Sequence, residues 1–396
     1  MRFSTLLLLP CLACLACGAA DSGDDTGTAT SGETGDATTT PTTGEPGGDL
    51  NDRELGADAS PACLAAAPKV AELTGAADAA AAAAAYTGAL QTYVQALDAA
   101  NMRADDAEIS AWLTDGSPAA LAAANARVHV ALAAQYRASL AAVEEGAEDR
   151  YAAWDEAHCA YTAALRALAE EADGATWHDV SETITADIDG ALQTGHDGIS
   201  GEPPATAIDE WRVLSSKQVA EKSLFRAFHR VIVELAGQQE EVAARRALEL
   251  FGALEDRLDG RNTPGIQQVK DMLSGDPAAI DAAAIRKELD LAFAKRTRRY
   301  CTAAIDDGEV ATPTGYKGAV EGITYAKLIL PGMLADVAAA DAMAYLGEWG
   351  AYAELVRTGE DEASLGVVSG RIADQTCAYQ TALGVAECTG ETDETE

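Results

Sequence analysis

An acidic segment that carries one imidazole stands out in an alanine-rich chain. Residues 151–161 read YAAWDEAHCAY and include Asp155, Glu156 and His158. On a helix, Tyr151, Asp155 and His158 share one face because they are four and three residues apart. Carboxylate oxygens with an imidazole and a phenol suit a hard or borderline cation, including ferrous or ferric iron. The alternative is a solvated helix face with ordinary contacts between residues three and four apart.

Two other segments place donor atoms at helical spacing. His178 and Glu182 are four residues apart, a workable spacing for two ligands on one helix. An equally good interpretation is a helix cap beside a surface imidazole. Glu321 and Tyr325 are also four apart, although tyrosines at this spacing are more often packing residues. His129 lies in the apolar segment RVHVAL and is predicted to be a core histidine.

Short segments recur along the chain and predict an internal repeat. VAARRALELFG (242–252) resembles VAAADAMAYLG (337–347). Aligning the repeated segments brings Glu156, Glu221 and Glu321 to equivalent positions, each on the first helix of a unit. All three glutamates are therefore candidate metal ligands. A neutral duplication of a helix pair explains the repetition without any function.

The elements that must position these residues are helices. From about Cys63 to Cys388 the chain consists mainly of good helix formers, and β-branched runs are scarce. The segments TDGSP, GISGEPP, GRNTPG and TPTG read as helix ends and loops. No alternating strand pattern lasts beyond a few residues. The sequence predicts an all-α protein of repeated helical hairpins or bundles packed as an array.

The N-terminus reads as an export signal followed by a tether. Arg2 precedes the apolar run LLLLPCLACLAC, which is too short to span a bilayer. The run resembles a bacterial lipoprotein cleavage box that ends at Cys17, although Leu15 lies one place nearer the cysteine than usual. The following Gly, Thr, Ser and Asp residues bury too little apolar surface to become ordered alone.

The predicted organisation has six parts. They are a lipoprotein signal peptide (1–16), lipidated Cys17 with a flexible acidic tether (17–62), a first helical unit (63–150), central helical units (151–310), a C-terminal helical unit (311–388) and an acidic tail (389–396).

Charge restricts the possible partners. The chain of 396 residues has 64 acidic and 28 basic residues, a formal net charge of −36. Such a surface repels phosphate backbones and anionic membranes and attracts cations, so we expect no nucleic-acid partner and membrane attachment only through the lipid anchor. Zinc-protease, nucleophile-elbow, P-loop and dinucleotide motifs do not occur in the sequence. We therefore expect a non-catalytic protein.

The cysteines are consistent with an oxidising compartment. Beyond Cys17 they are Cys63, Cys159, Cys301, Cys377 and Cys388. Because five is odd, at least one thiol is free or pairs with another chain. One or two structural disulfides are expected in an exported chain.

The segments WDEAHCAY and AVEGITYAKLI, in an exported, acidic, repeated all-α chain, resemble the Fe-assimilating proteins of green algae and their bacterial, myxobacterial-type lipoprotein relatives. The resemblance covers most of residues 63–388, and the Trp-Asp-Glu-Ala and Glu-Gly-x-x-Tyr segments carry it. It implies extracytoplasmic iron binding for iron uptake.

The middle repeat departs from this pattern. Glu221 is kept, but Lys222 stands where Gly322 lies in the C-terminal unit, and Phe225 stands where Tyr325 lies. A lysine beside the glutamate would weaken a cation site, so this unit is expected to be structural or degenerate.

Three functions compete at this stage. The first is a non-catalytic iron-binding lipoprotein of the outer membrane or cell surface that passes iron to an uptake component. The second is a helical-repeat scaffold that binds another protein through a concave face. The third is a degenerate imelysin-like peptidase, but Gln267 and Lys270 replace the histidine and glutamate of that family's GxHxxE segment.

Overall fold

The structure is a computed structural model that describes residues 53–178, 180, 183–202, 204–385 and 388. The predicted signal peptide, Cys17, most of the predicted tether, the acidic tail and Glu182 lie outside these residues. Within them the all-α prediction is confirmed. None of the described helices has the length and apolar character that crossing a membrane requires.

Helices account for most of the described chain. The first part contains α1 (Pro61–Thr74), α2 (Ala79–Tyr86), α3 (Ala89–Asn101), α4 (Asp105–Asp115), α5 (Pro118–Glu145), α6 (Arg150–Ala160), a π-helical turn (Tyr161–Leu165), α7 (Arg166–Asp173) and α8 (Ile184–Asp197). Two short antiparallel strands follow, β1 (Ile199–Ser200) and β2 (Ala207–Ile208).

The second part begins with the longest of the described helices. It contains α9 (Glu210–Gln238), α10 (Glu241–Phe251), α11 (Glu255–Leu258), α12 (Thr263–Ser274), a 3₁₀ turn (Pro277–Ala279), α13 (Ala282–Tyr300), α14 (Ala303–Asp306), α15 (Pro313–Asp336), α16 (Ala339–Thr358) and α17 (Glu362–Ala382).

Local sequence sets the ends of the long helices. Each of α5, α6, α9 and α15 begins after a side chain that accepts a hydrogen bond from a backbone N–H of the first turn. These capping residues are Ser117, Asp149, Asp209 and Thr312. Gly146 ends α5 with φ of 90°, a left-handed conformation that glycine adopts without strain.

Two apolar cores hold the helices together. The larger surrounds α9, which packs against α8 on one side and α15 on another, and it includes the fully buried Leu224, Phe228 and Ile232. The smaller lies between α1, α2, α3 and α4 and is closed by Ala124 and Val128 of α5. Helix α5 therefore contributes to both cores.

The five cysteines divide as their odd number predicts. Cys63 of α1 is bonded to Cys159 of α6, 96 positions along the chain. Cys377 of α17 is bonded to Cys388. Cys301 is a buried free thiol. The first bond joins the smaller core to the segment that carries Asp155 and Glu156.

Candidate functional site

The recurring glutamates of α9 and α15 meet around a lysine. Lys222 Nζ lies 2.9 Å from Glu221 Oε2 and 3.3 Å from Glu321 Oε1. The Lys222 side chain is only 6% exposed. The repeat alignment thus identified two carboxylates that converge in space. The positive charge between them belongs to the protein itself.

Neighbouring charges keep Lys222 and Glu221 ionised despite their burial. Burial lowers the pKa of Lys222, but the negative charges of Glu321 and Glu221 outweigh this effect and hold it well above its usual value. Burial likewise raises the pKa of Glu221, but Lys222 and neighbouring cations bring it below its usual value. Burial raises the pKa of Tyr325 to about 12, so the phenol stays neutral. Three predicted metal ligands, Glu221, Glu321 and Tyr325, therefore lie together around the positive charge of Lys222.

Two further acidic residues form ion pairs with both α9 and α15, and these pairs show the relative direction of the two helices. Glu144 of α5 binds Lys217 of α9 through one oxygen and Lys317 of α15 through the other, the latter at 2.7 Å. Asp187 of α8 binds Arg226 of α9 and also Lys327 of α15. Because each acid joins equivalent levels of both helices, α9 and α15 lie side by side in parallel.

Glu156 is occupied by hydrogen bonds to other parts of the chain. Its Oε1 accepts a 2.7 Å bond from the Tyr93 hydroxyl, and its Oε2 accepts a 2.9 Å bond from the Ser60 backbone N–H. These two hydrogen bonds connect α6 to the middle of α3 and to the residue that precedes α1. Glu156 is not grouped with Glu221 or Glu321, so the repeat alignment did not predict its surroundings.

Asp155 and His196 form a second buried pair. Both side chains are fully buried, and Asp155 Oδ1 lies 3.6 Å from His196 Nε2, beyond hydrogen-bond distance. Asp155 Oδ2 accepts a 2.8 Å bond from the Asp58 backbone N–H. Among the described residues, Asp155 Oδ1 and both ring nitrogens of His196 have no hydrogen-bond partner. Such groups are costly to bury unless something satisfies them.

The protonation tendencies of the pair follow from burial. Burial raises the pKa of Asp155, and the backbone amides of Asp58 and Gly56 offset only part of this effect. Burial lowers the pKa of His196 more than the nearby carboxylate raises it. A neutral imidazole keeps a nitrogen lone pair, which is the form that binds metals.

Aromatic side chains of α6 position this pair. Trp154 packs against α8 where Gly195 leaves room for its ring, and its Nε1 donates a 2.8 Å bond to the Leu192 carbonyl. The Tyr151 hydroxyl donates a 2.6 Å bond to the Ile199 carbonyl. The Tyr151 ring centre lies 5.2 Å from that of His196. These contacts hold α6 and α8 together around the pair.

Residues 53–60, which precede α1, cover the Asp155–His196 pair. The Arg53 guanidinium lies 4.8 Å from the centre of the Tyr151 ring and pairs with Asp58. Gly56 has φ of 93°, and a Cβ there would lie 2.7 Å from His158 Nδ1. The prediction assigned 53–60 to the tether. In the structure this segment is instead bound to α6, because the backbone N–H groups of Asp58 and Ser60 donate hydrogen bonds to Asp155 and Glu156.

The remaining predicted ligands lie apart from each other. His158 is half-buried beneath Gly56, next to Asp155. His178 lies in the α7–α8 loop, where its Nδ1 accepts a hydrogen bond from the Val180 backbone N–H. Across the part of the chain that the structure describes, no three His, Cys, Asp or Glu side chains are arranged to hold a metal ion.

His196 was not among the predicted metal ligands. His196 pairs with Asp155, yet nothing near it in the sequence identifies Asp155 as its partner. The preceding Gly195 is the only local signal, because a glycine inside a helix often marks a close approach of another group. His129 is fully consistent with a core histidine: it is 5% exposed, and its Nδ1 lies 2.8 Å from the Asn125 carbonyl oxygen.

Comparison with known families, curated proteins and solved structures finds no match to this chain.

Proposed function

We propose that this chain is an exported, non-catalytic protein that binds iron between Asp155 and His196. The observation that supports this proposal is the pair of fully buried side chains whose facing atoms lack hydrogen-bond partners in the described structure. A cation between them would satisfy the carboxylate oxygen and the imidazole nitrogen together.

The distance between the two donor atoms is compatible with one shared ion. Protein oxygen and nitrogen ligands lie about 2.0–2.2 Å from a first-row metal, so two of them can be at most roughly 4.4 Å apart. Asp155 Oδ1 and His196 Nε2 are 3.6 Å apart. One oxygen and one nitrogen suit borderline cations, ferrous iron included. The strongly acidic chain also concentrates cations near its surface.

Two protein ligands imply a weak site. The other coordination positions would belong to water enclosed with the ion, and weak binding fits a protein that passes its cargo to an uptake component. Under this proposal Cys17 carries the lipid anchor that holds the chain at the outer membrane or cell surface. The Glu221–Lys222–Glu321 cluster is then structural, since Lys222 neutralises it.

The test is metal-dependent stability of the purified chain. Titration with ferrous iron under anaerobic conditions should raise the melting temperature, because a ligand selective for the folded state stabilises it. His196→Gln and Asp155→Asn should abolish the rise. His129→Gln, which alters a buried histidine whose Nδ1 contacts the Asn125 carbonyl oxygen and not the pair, should keep it. Parallel titrations with zinc and calcium establish which cation the site prefers.

The outcome can also exclude the proposal. If no cation raises the melting temperature, or if His196→Gln responds as the unmodified chain does, the pair is a structural contact. A helical-repeat scaffold that binds another protein would then be the better proposal.

A further inference from the structure

The two disulfides among the described residues have opposite surroundings. Cys63 and Cys159 are 0% and 4% exposed and lie in the smaller core. Cys377 and Cys388 are both half-buried, so a reagent in solvent reaches them more easily. This contrast provides an internal comparison within one molecule.

A guanidinium faces the more exposed disulfide. Arg298 Nε, in the last turn of α13, lies 3.1 Å from Cys377 Sγ and 3.0 Å from Cys388 Sγ. Disulfide sulfurs are weak acceptors, so this contact adds little to the oxidised form. No carboxylate among the described residues forms an ion pair with Arg298. Its positive charge is therefore directed at the sulfur atoms.

The same N–H would bind a thiolate far more strongly. An arginine beside a cysteine stabilises the thiolate, and a stabilised thiolate is a better leaving group in thiol–disulfide exchange. Stabilising the reduced form also makes a disulfide easier to reduce. We propose that Cys377–Cys388 is a thiol–disulfide exchange site that reacts with dithiols, with Arg298 as its positioning residue.

The exchange proceeds through a mixed disulfide. A thiolate of the dithiol bonds one sulfur of the pair, the Cys377–Cys388 bond breaks, and the leaving sulfur keeps the electron pair as a thiolate beside Arg298. The second thiol of the reagent then displaces the first sulfur. The dithiol ends as a disulfide that has lost two electrons and two protons, and Cys377 and Cys388 gain them. The partner class is a dithiol reductant or a dithiol oxidoreductase.

The free cysteine does not take part. Cys301 is fully buried, and burial raises the pKa of its thiol to about 12. A thiol with that pKa is almost entirely protonated at neutral pH and reacts slowly. Cys301 thus provides an unreactive reference in labelling experiments.

The experiment is timed reduction of the oxidised chain with dithiothreitol, followed by alkylation and peptide mass spectrometry. Cys377 and Cys388 should be labelled at least tenfold faster than Cys63 and Cys159. Arg298→Ala should slow that labelling about tenfold, the effect of losing one hydrogen bond to a charged group. Arg299→Ala removes the same charge from the neighbouring, exposed position and should leave the rate unchanged.

A further variant separates charge from geometry. Arg298→Lys keeps the positive charge and should fall between the unmodified chain and Arg298→Ala, with far-UV circular dichroism confirming that each variant is folded. The proposal is overturned if both disulfides are reduced at the same rate in the unmodified chain. It is equally overturned if Arg298→Ala and Arg299→Ala are indistinguishable.

Discussion

Replacing Lys222 with methionine tests whether the lysine neutralises the α9–α15 cluster. The change keeps much of the side-chain volume and removes the ammonium group that lies 2.9 Å from Glu221 and 3.3 Å from Glu321. Glu221 keeps Arg137, whose Nε is 3.4 Å away. Glu321 has no other ion-pair partner among the described residues and is 6% exposed.

The expected loss follows from that stranded carboxylate. Removing one partner of a buried ion pair reduces the free energy of unfolding by about 3–5 kcal/mol. Domains have about 5–15 kcal/mol in total, so the loss is easily measured. Urea unfolding followed by circular dichroism at neutral pH gives its magnitude. Because acid neutralises the stranded carboxylate, the difference between Lys222→Met and the unmodified chain should shrink as the pH falls.

Two companion variants complete the design. Glu321→Gln added to Lys222→Met removes the stranded charge and should recover at least half of the lost stability. Lys217→Met leaves Glu144 paired with Lys317 and should lose about 1 kcal/mol or less. Lys222 does not neutralise the cluster if Lys222→Met loses no more stability than Lys217→Met, or if the double variant is no more stable than Lys222→Met.

Two other predictions concern stability. Gly195→Ala puts a Cβ into the Trp154 ring and should lower the free energy of unfolding by about 1–3 kcal/mol. Gly190→Ala, also in α8, meets no atom within 4 Å and should raise it by up to about 1 kcal/mol. The two variants must therefore shift the melting temperature in opposite directions. Burial raises the pKa of Glu144, but two lysines outweigh burial and hold it below its usual value. Its contribution is therefore complete above the unfolded-state pKa of about 4.3 and is lost as the pH falls through the lower folded value. As the pH falls, the melting temperature of Glu144→Gln should therefore decrease less steeply than that of the unmodified chain. Parallel curves for the two proteins would contradict this role of Glu144.

Much of the fold could be predicted because it depends on local patterns. Helix formers, capping residues such as Ser117 and Thr312, and Gly146 after α5 act within a few residues of their own positions. The repeat was also visible in the sequence: its alignment placed Glu156, Glu221 and Glu321 at equivalent positions, and two of these, Glu221 and Glu321, lie beside Lys222. What the repeat could not predict is which cation lies between them, because that depends on the direction of the Lys222 side chain.

The candidate site was harder to predict because its contacts join distant segments. Glu156 and Asp155 accept bonds from the backbone N–H groups of Ser60 and Asp58, and a backbone N–H has the same chemistry in almost every residue. No pattern of residue types could therefore identify these donors. His196 reaches Asp155 only because α8 packs on α6 through Trp154.

The amino-acid sequence by itself determined the helical class, the net charge of −36, the odd cysteine and the spacing of the acidic residues. Only the tertiary structure decided which acids are neutralised by lysine, which are occupied by backbone amides, and which one faces an imidazole across 3.6 Å. The physical reason is that periodicity and propensity act over a few neighbouring residues. The partner of a buried charge, in contrast, is chosen by the packing of helices that are remote in the chain.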